Sequence, residues 1–265
     1  MMRIGVFDSG IGGLSTLLAC LRYLPEAHFL FYGDTAHSPY GDKSPEQVRQ
    51  WTEAAYDWFI RAGVDAVVLA CNTATSAAVS PIREYADVPV IGIEPAIKKA
   101  LTLYPEGKIL LLATTMTVAG AKLEQLLTQL PDARQRVIPL ACPGLAERIE
   151  SQRTDWQQQV RQYLHRQVLP ACTPDIQAIV LGCTHYCWIS DWSSGLAGRA
   201  IPTLDGNDGV ARQLCRRLDI PLQTDACPEL PGAASIDFHF TAEAAAKTRV
   251  ARLLLAAHGI RTQSS

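Results

Sequence analysis

The sequence predicts an α/β protein built as two pseudosymmetric doubly wound domains with mostly parallel sheets. Three observations carry that expectation. Strand and helix patterns alternate almost from the first residue, the rhythm of a parallel sheet covered by helices on both faces. Residues 66–73 read AVVLACNT and residues 178–185, 112 positions later, read AIVLGCTH. The strands that open the two series also correspond, Arg3-Ile-Gly-Val-Phe7 ending at Asp8-Ser9 and Lys108-Ile-Leu-Leu-Leu112 ending at Ala113-Thr114.

Taken in order, Arg3–Phe7 reads as a strand, Gly13–Leu24 has helical spacing, and His28–Tyr32 is a strand. Ser44, Pro45 and Gln47 give the next helix, 44–61, an N-cap, a first-position proline and a capping-box partner. Strand 64–69, helix 72–85 and short strand 88–91 complete the first series. The second series comprises strand 108–113, helix 118–130, strand 136–140, helices around 144–150 and 155–169, and strand 176–181. Helix 210–218, strand 236–240 and helix 242–258 then return. The expected domains are residues 1–95 with 207–265, and residues 96–206, with crossings near Glu94-Pro95 and Asp205-Gly206.

The 265 residues are 48% hydrophobic and 19% charged, which suits a globular protein with a real core. A formal charge of −2 without a basic block argues against nucleic acid as partner. The opening MMRIGVFDSG has no apolar signal region, and no run approaches membrane-spanning length, so no membrane partner and a cytoplasmic location are expected. The eight cysteines, at 20, 71, 142, 172, 183, 187, 215 and 227, are accordingly expected as reduced thiols.

An apolar β-rich run that stops at a polar cluster delivers its last side chains to the rim where open α/β sheets gather ligands. Cys71 and Cys183 are therefore expected at equivalent points, each at the start of a helix whose N-terminal N–H groups favour an anion. A thiol has a pKa of about 8.5, near enough to neutrality to serve as acid or base. Two like groups suit a reaction that is the same in both directions. Three other readings stand beside this one. Cys183-x-His185-x-Cys187 offers three soft ligands, but a structural zinc site usually has four. Gly10-x-Gly12-x-x-Ser15 with Asp34 approaches a dinucleotide fingerprint, as in an oxidoreductase, with Ser in place of the last Gly. A non-catalytic protein closing on a small anion would need the donors but not the thiols.

Phe7-Asp-Ser-Gly-Ile-Gly-Gly-Leu-Ser15, Tyr32-Gly-Asp-Thr35 with Pro39-Tyr-Gly41, Ala70-Cys-Asn-Thr-Ala74, Glu94-Pro95 and Leu181-Gly-Cys-Thr-His-Tyr186 resemble, in family order, the signature blocks of glutamate racemases. The resemblance implies a cofactor-independent enzyme, often a homodimer, with the active site between two pseudosymmetric α/β domains, that makes D-glutamate for bacterial peptidoglycan. It implies that Cys71 takes the α-proton from D-glutamate and Cys183 from L-glutamate. Asp8 would assist Cys71, His185 would assist Cys183, and Glu150 matches a further family acid. Ser9, Pro39, Tyr40, Gly41, Asn72, Thr73, Thr114, Thr117 and Thr184 would hold the ammonium and carboxylates, beside Asp8 and His185. Departures are Cys187 for the usual Pro, Ala113 for a usual Gly, and Asp205-Gly206 for Asp-Ser. The chain starts at its first strand, so the N-terminal extension of members regulated by a cell-wall precursor is expected to be missing. The nearest rival is an aspartate racemase of the same superfamily. Those typically carry an acid where His185 stands.

Overall fold

The computed structural model describes residues 1–151, 154–222 and 229–263. In chain order come β1 (Arg3–Asp8), α1 (Leu14–Tyr23), β2 (His28–Gly33), α2 (Pro45–Arg61), β3 (Ala66–Leu69), α3 (Asn72–Tyr85) and β4 (Val90–Gly92). Then follow α4 (Ile97–Leu103), β5 (Lys108–Ala113), α5 (Thr115–Ala119), α6 (Ala121–Gln129), α7 (Ala133–Arg136), β6 (Val137–Ala141), α8 (Leu145–Ser151) and α9 (Trp156–Tyr163). The chain continues through β7 (Ile176–Leu181), α10 (Ser190–Ser194), β8 (Thr203–Leu204), α11 (Asn207–Arg217), β9 (Ala233–Phe240), α12 (Ala244–Ala257) and β10 (Arg261–Gln263). Among the described residues no helix is long and apolar enough to cross a membrane.

The chain divides into two compact units, one of Met1–Tyr40, Ser44–Ile93 and Asn207–Ser265, the other of Gly41–Lys43 and Glu94–Gly206. The first holds a sheet ordered β10-β9-β2-β1-β3-β4, the second a sheet ordered β6-β5-β7-β8. Every pairing in both sheets is parallel. The order β2-β1-β3-β4 recurs as β6-β5-β7-β8, so β1 corresponds to β5 and β3 to β7. In such an order the chain reverses direction across the sheet between the first and third strands. Loops there leave toward opposite faces and open a crevice at the strands' carboxyl ends.

The strand period of two divides the core of the second unit. Leu110, Leu112, Ile179 and Leu181 point to one face and pack with Leu145, Ile149 and Val160 of α8 and α9. Ile109, Leu111, Ala113, Ala178 and Val180 point to the other and pack with Ile97, Leu123 and Ala133 of α4, α6 and α7. Strands buried on both faces are why these segments read as unbroken apolar runs. In the first unit, the ring of Phe59 lies on β1 where a Cβ at Gly5 would come within 2.6 Å of it. The C-terminal segment is bound to the first helix: Thr16 Oγ1 donates to Asn207 Oδ1 at 2.7 Å, and Tyr23 Oη to Asp208 Oδ1 at 2.5 Å.

Several expected elements come out differently. The single helix expected over 118–130 is two, because Gly120 is extended (φ −76°, ψ 140°) and ends α5 before α6 begins. The helix expected over 155–169 stays α-helical only to Tyr163, then loosens into a π turn and a 3₁₀ turn. Pro170 has no N–H for the α ladder there. Residues 184–189 form a 3₁₀ turn where an α-helix was expected. The capping box at Ser44 forms as expected, with Gln47 N donating to Ser44 Oγ and Ser44 N to Gln47 Oε1. The seven described cysteines are free thiols; Cys227 lies outside the described residues.

Candidate active site

In the first unit, β1 and β3 end side by side at the reversal of strand order. Asp8, the last residue of β1, is fully buried, and its Oδ2 accepts from Gly10 N at 3.0 Å. Ser9 Oγ lies 3.6 Å from Cys71 Sγ. Cys71 caps α3, its Sγ accepting from Ala74 N at 3.4 Å. A sulfur in that place sits among N–H groups with no intrahelical partner, which favours negative charge on it. Asn72 and Thr73 are buried in the first turn of α3. Asn72 Oδ1 has no hydrogen-bond partner among the described residues. A buried acceptor left so costs about 1–3 kcal/mol, a cost that a bound ammonium would relieve. Gly13 is required by close approach, since a Cβ there would lie 2.5 Å from Asp8 Cβ and 3.1 Å from Ala70 Cβ.

In the second unit, β5 and β7 end in the corresponding positions. Thr114 follows β5 and caps α5; its Oγ1 accepts from Thr117 N at 3.2 Å and donates to Thr117 Oγ1 at 2.9 Å. Gly41 approaches this threonine so closely that a Cβ on it would lie 3.0 Å from Thr114 Cβ. Cys183 follows β7, and here the expectation of a helix N-terminus fails. The turn beginning at Thr184 is 3₁₀, and the Cys183 side chain makes no cap bond to it. Its Sγ lies instead 3.8 Å from His185 Nδ1, and His185 Nε2 lies 2.8 Å from Glu150 Oε2. Both members of the His185–Glu150 pair are buried. Burial alone would discharge His185, but its hydrogen bonds to Cys183 and Glu150 outweigh that and hold its pKa well above the usual value. As the imidazolium it donates from both nitrogens. Thr184 is buried beside them, and Tyr186 Oη donates to Cys142 O at 3.2 Å. Cys142 is a bystander: burial, then the neighbouring Cys183, push its thiol up to about 12.

The sequence-predicted residues thus form two clusters: Asp8, Ser9, Cys71, Asn72 and Thr73 in one unit, and Thr114, Thr117, Glu150, Cys183, Thr184 and His185 in the other. Pro39 and Tyr40 lie on the loop after β2, with a cis peptide between Ser38 and Pro39. Asp34, the acid of the dinucleotide reading, is committed within its own unit, receiving Tyr40 Oη at 2.5 Å and Thr241 Oγ1 at 2.7 Å. Among the described residues no three His, Cys, Asp or Glu are grouped to hold a metal ion. Sequence reasoning missed Thr241 and His37 as partners of Asp34; the only available signal was Asp34 itself, a carboxylate at a strand end.

The Asp/Glu/Hydantoin racemase family matches residues 12–214 of this chain. A glutamate racemase of Clostridium perfringens is 42% identical over 217 residues, 82% of this chain and 83% of that one. One of Clostridium novyi is 41% identical over 218 residues, with the same coverage of 82% and 83%. Among solved structures, a glutamate racemase isoform of Bacillus anthracis superposes with a TM-score of 0.82 at 27% identity, covering 100% of this chain and 97% of that one. The Escherichia coli glutamate racemase, solved with L-glutamate and the activator UDP-MurNAc-Ala, gives a TM-score of 0.81 at 25% identity over 98% and 96% of the two chains. The matched residues run from the glycine loop after β1 into α11 and take in both cysteine turns. This chain belongs to the Asp/Glu/Hydantoin racemase family.

Proposed function

We propose that the protein is a glutamate racemase that interconverts L- and D-glutamate without a cofactor, Cys71 addressing one face of the α-carbon and Cys183 the other. The observation that carries this reading is the repeated strand-to-cysteine turn. The two thiols end corresponding strands of two sheets with the same strand order. From L-glutamate, the Cys183 thiolate takes the α-hydrogen as a proton and the Cys71 thiol supplies a proton to the opposite face. The product leaves with Cys183 as thiol and Cys71 as thiolate, the state from which D-glutamate is turned back. No electron is gained or lost.

The local geometry supports a helper for each thiol. The imidazolium of His185, held by Glu150, stabilises the charge that Cys183 carries before it takes a proton. Ser9 and the first turn of α3 serve Cys71, and Asp8, buried at the end of β1, assists it. Asn72 Oδ1 accepts from the substrate ammonium. Ser9, Pro39, Tyr40, Gly41, Thr73, Thr114, Thr117 and Thr184 hold the carboxylates and ammonium. The need for two reduced thiols supports a cytoplasmic location, and D-glutamate made there supplies peptidoglycan. The resemblance supports a homodimer, which light scattering of the purified protein tests.

The deciding experiment supplies pure L- and pure D-glutamate in deuterated water. Loss of optical rotation with uptake of one α-deuterium from either enantiomer is expected. Absence of exchange with glutamate, or faster turnover of aspartate, overturns the substrate assignment.

A further inference from the structure

Asp34 leaves β2 only 3% exposed, and its carboxylate gathers three side chains. Tyr40 Oη donates to Oδ2 at 2.5 Å, and Thr241 Oγ1 to Oδ1 at 2.7 Å. His37 Nδ1 lies 3.0 Å from Oδ1 and 2.9 Å from Oδ2. The Thr241 hydroxyl works in both directions, since it also accepts from Ala36 N at 2.9 Å. Next to it, Thr35 Oγ1 donates to Ala242 O at 2.7 Å and accepts from Ala242 N at 2.9 Å. On the other side the His37 ring stacks on Trp51 of α2, centroids 4.1 Å apart and planes 14° apart, and Tyr40 packs on the same indole at 5.5 Å. The loop of residues 34–40 is therefore pinned from two sides, by the turn between β9 and α12 and by α2.

That loop carries Pro39 and Tyr40 and leads directly into Gly41. Burial, then the charge of Asp34, push the Tyr40 hydroxyl far up, so it remains a neutral donor given to Asp34. With Tyr40 given to Asp34, the loop can offer a ligand its backbone and the Ser38 hydroxyl, which has no partner among the described residues, and the placement of both depends on the Asp34 network. Thr241 lies beyond the residues 12–214 that match the family.

We propose that Thr241 is a positioning residue for substrate binding: through Asp34 it fixes the Pro39-Tyr40-Gly41 turn that grips a substrate carboxylate. This deepens the racemase reading and rests on it. The C-terminal segment, by this account, helps build the site as well as completing the first sheet.

Thr241→Val keeps the side chain's shape and removes its hydroxyl, whereas Thr241→Ser keeps the hydroxyl. Loss of one hydrogen bond to a carboxylate predicts that the Val variant raises KM about tenfold for both enantiomers. Because Thr241 touches no reacting atom, kcat should stay within about twofold, and the Ser variant should restore KM to within about twofold of wild type. If the Val variant fails to fold, His37→Phe is read instead. It keeps a ring on Trp51 and loses the bond to Asp34, and KM should again rise with kcat held. An unchanged KM, or a fall in kcat alone, overturns the proposal. A wild-type protein that does not racemise glutamate overturns the racemase reading and takes this proposal with it. An active wild type with a Val variant indistinguishable from it overturns this proposal only.

Discussion

The pair formed by Glu150 and His185 gives a prediction whose size and form both follow from the structure. Glu150→Gln keeps the length of the side chain and a carbonyl oxygen for His185 Nε2, and removes the negative charge. At 2.8 Å the ion pair's gross attraction is about 6 kcal/mol at an effective dielectric of about 20. Most of that does not appear in the rate, because the amide oxygen still accepts a hydrogen bond. The relevant difference is between a charged and a neutral hydrogen bond, about 1–2 kcal/mol, or about 5- to 30-fold in rate. L- and D-glutamate are mirror images, so their equilibrium constant is one and kcat/KM must stay equal in the two directions whatever is mutated. The loss is therefore expected to be equal from both enantiomers, and its location must be read another way. For stepwise transfer, weakening the Cys183 step should enlarge the α-deuterium isotope effect when L-glutamate is the substrate and diminish it when D-glutamate is. Circular dichroism on both α-deuterated enantiomers measures this. A variant with unchanged kcat/KM, or one whose isotope effect grows from D-glutamate instead, refutes the pairing of Glu150 and His185 with Cys183.

Three further outcomes are expected. Cys71→Ala and Cys183→Ala should each abolish racemisation yet retain elimination from a β-chloro- or β-hydroxyglutamate of one hand only, which chiral chromatography reads; racemisation by either variant contradicts the two-thiol assignment. Gly13→Ala, whose new Cβ would lie 2.5 Å from Asp8 Cβ, should cost about 1–3 kcal/mol of stability in urea unfolding and lower kcat as Asp8 is displaced. His185 has its folded pKa raised above the unfolded value of about 6.5. Its contribution to stability is thus fully present below about pH 6.5 and is lost as pH rises through the folded pKa. The stability gap between wild type and His185→Asn should accordingly narrow from pH 6 toward alkaline pH, and a gap that widens there contradicts the imidazolium.

What could be seen in the sequence was local. The apolar runs ending at Cys71 and Cys183, and the Ser44-Pro45-Gln47 start of α2, carry their meaning within eight residues, and the structure forms both. Long-range pairing was hidden, because periodicity says that a carboxylate is buried but not what satisfies it. Glu150 meets His185 across 35 positions and Asp34 meets Thr241 across 207. Symmetry in the sequence also hid a local difference. AVVLACNT and AIVLGCTH suggested one turn used twice, yet Cys71 Sγ caps an α-helix while Cys183 Sγ turns to an imidazole. The one helix start supplies donors through its backbone, and where that start is absent a cation on a side chain stands in.

The packing beneath the thiols shows the same substitution of means. A Cβ at residue 182 would lie 3.1 Å from Ala113 Cβ and 3.0 Å from Leu112 O. Leu111 Cδ1 would be nearer still, at 2.9 Å, and the chain places Gly182 before its second cysteine. In the first unit the residue before the cysteine is Ala70, and room is made by Gly13, which faces both Ala70 and Asp8. The same reasoning bears on catalysis. Reversing one stereocentre is served best by two groups of like basicity, one for each face of the α-carbon, but the ammonium, carboxylate and side chain around that carbon differ from one another. Symmetry is therefore demanded only of the two sulfur atoms. On the proposed two-thiol reading, their neighbours, Ser9 for one and His185 with Glu150 for the other, can differ so long as each leaves its thiol able both to take and to give a proton.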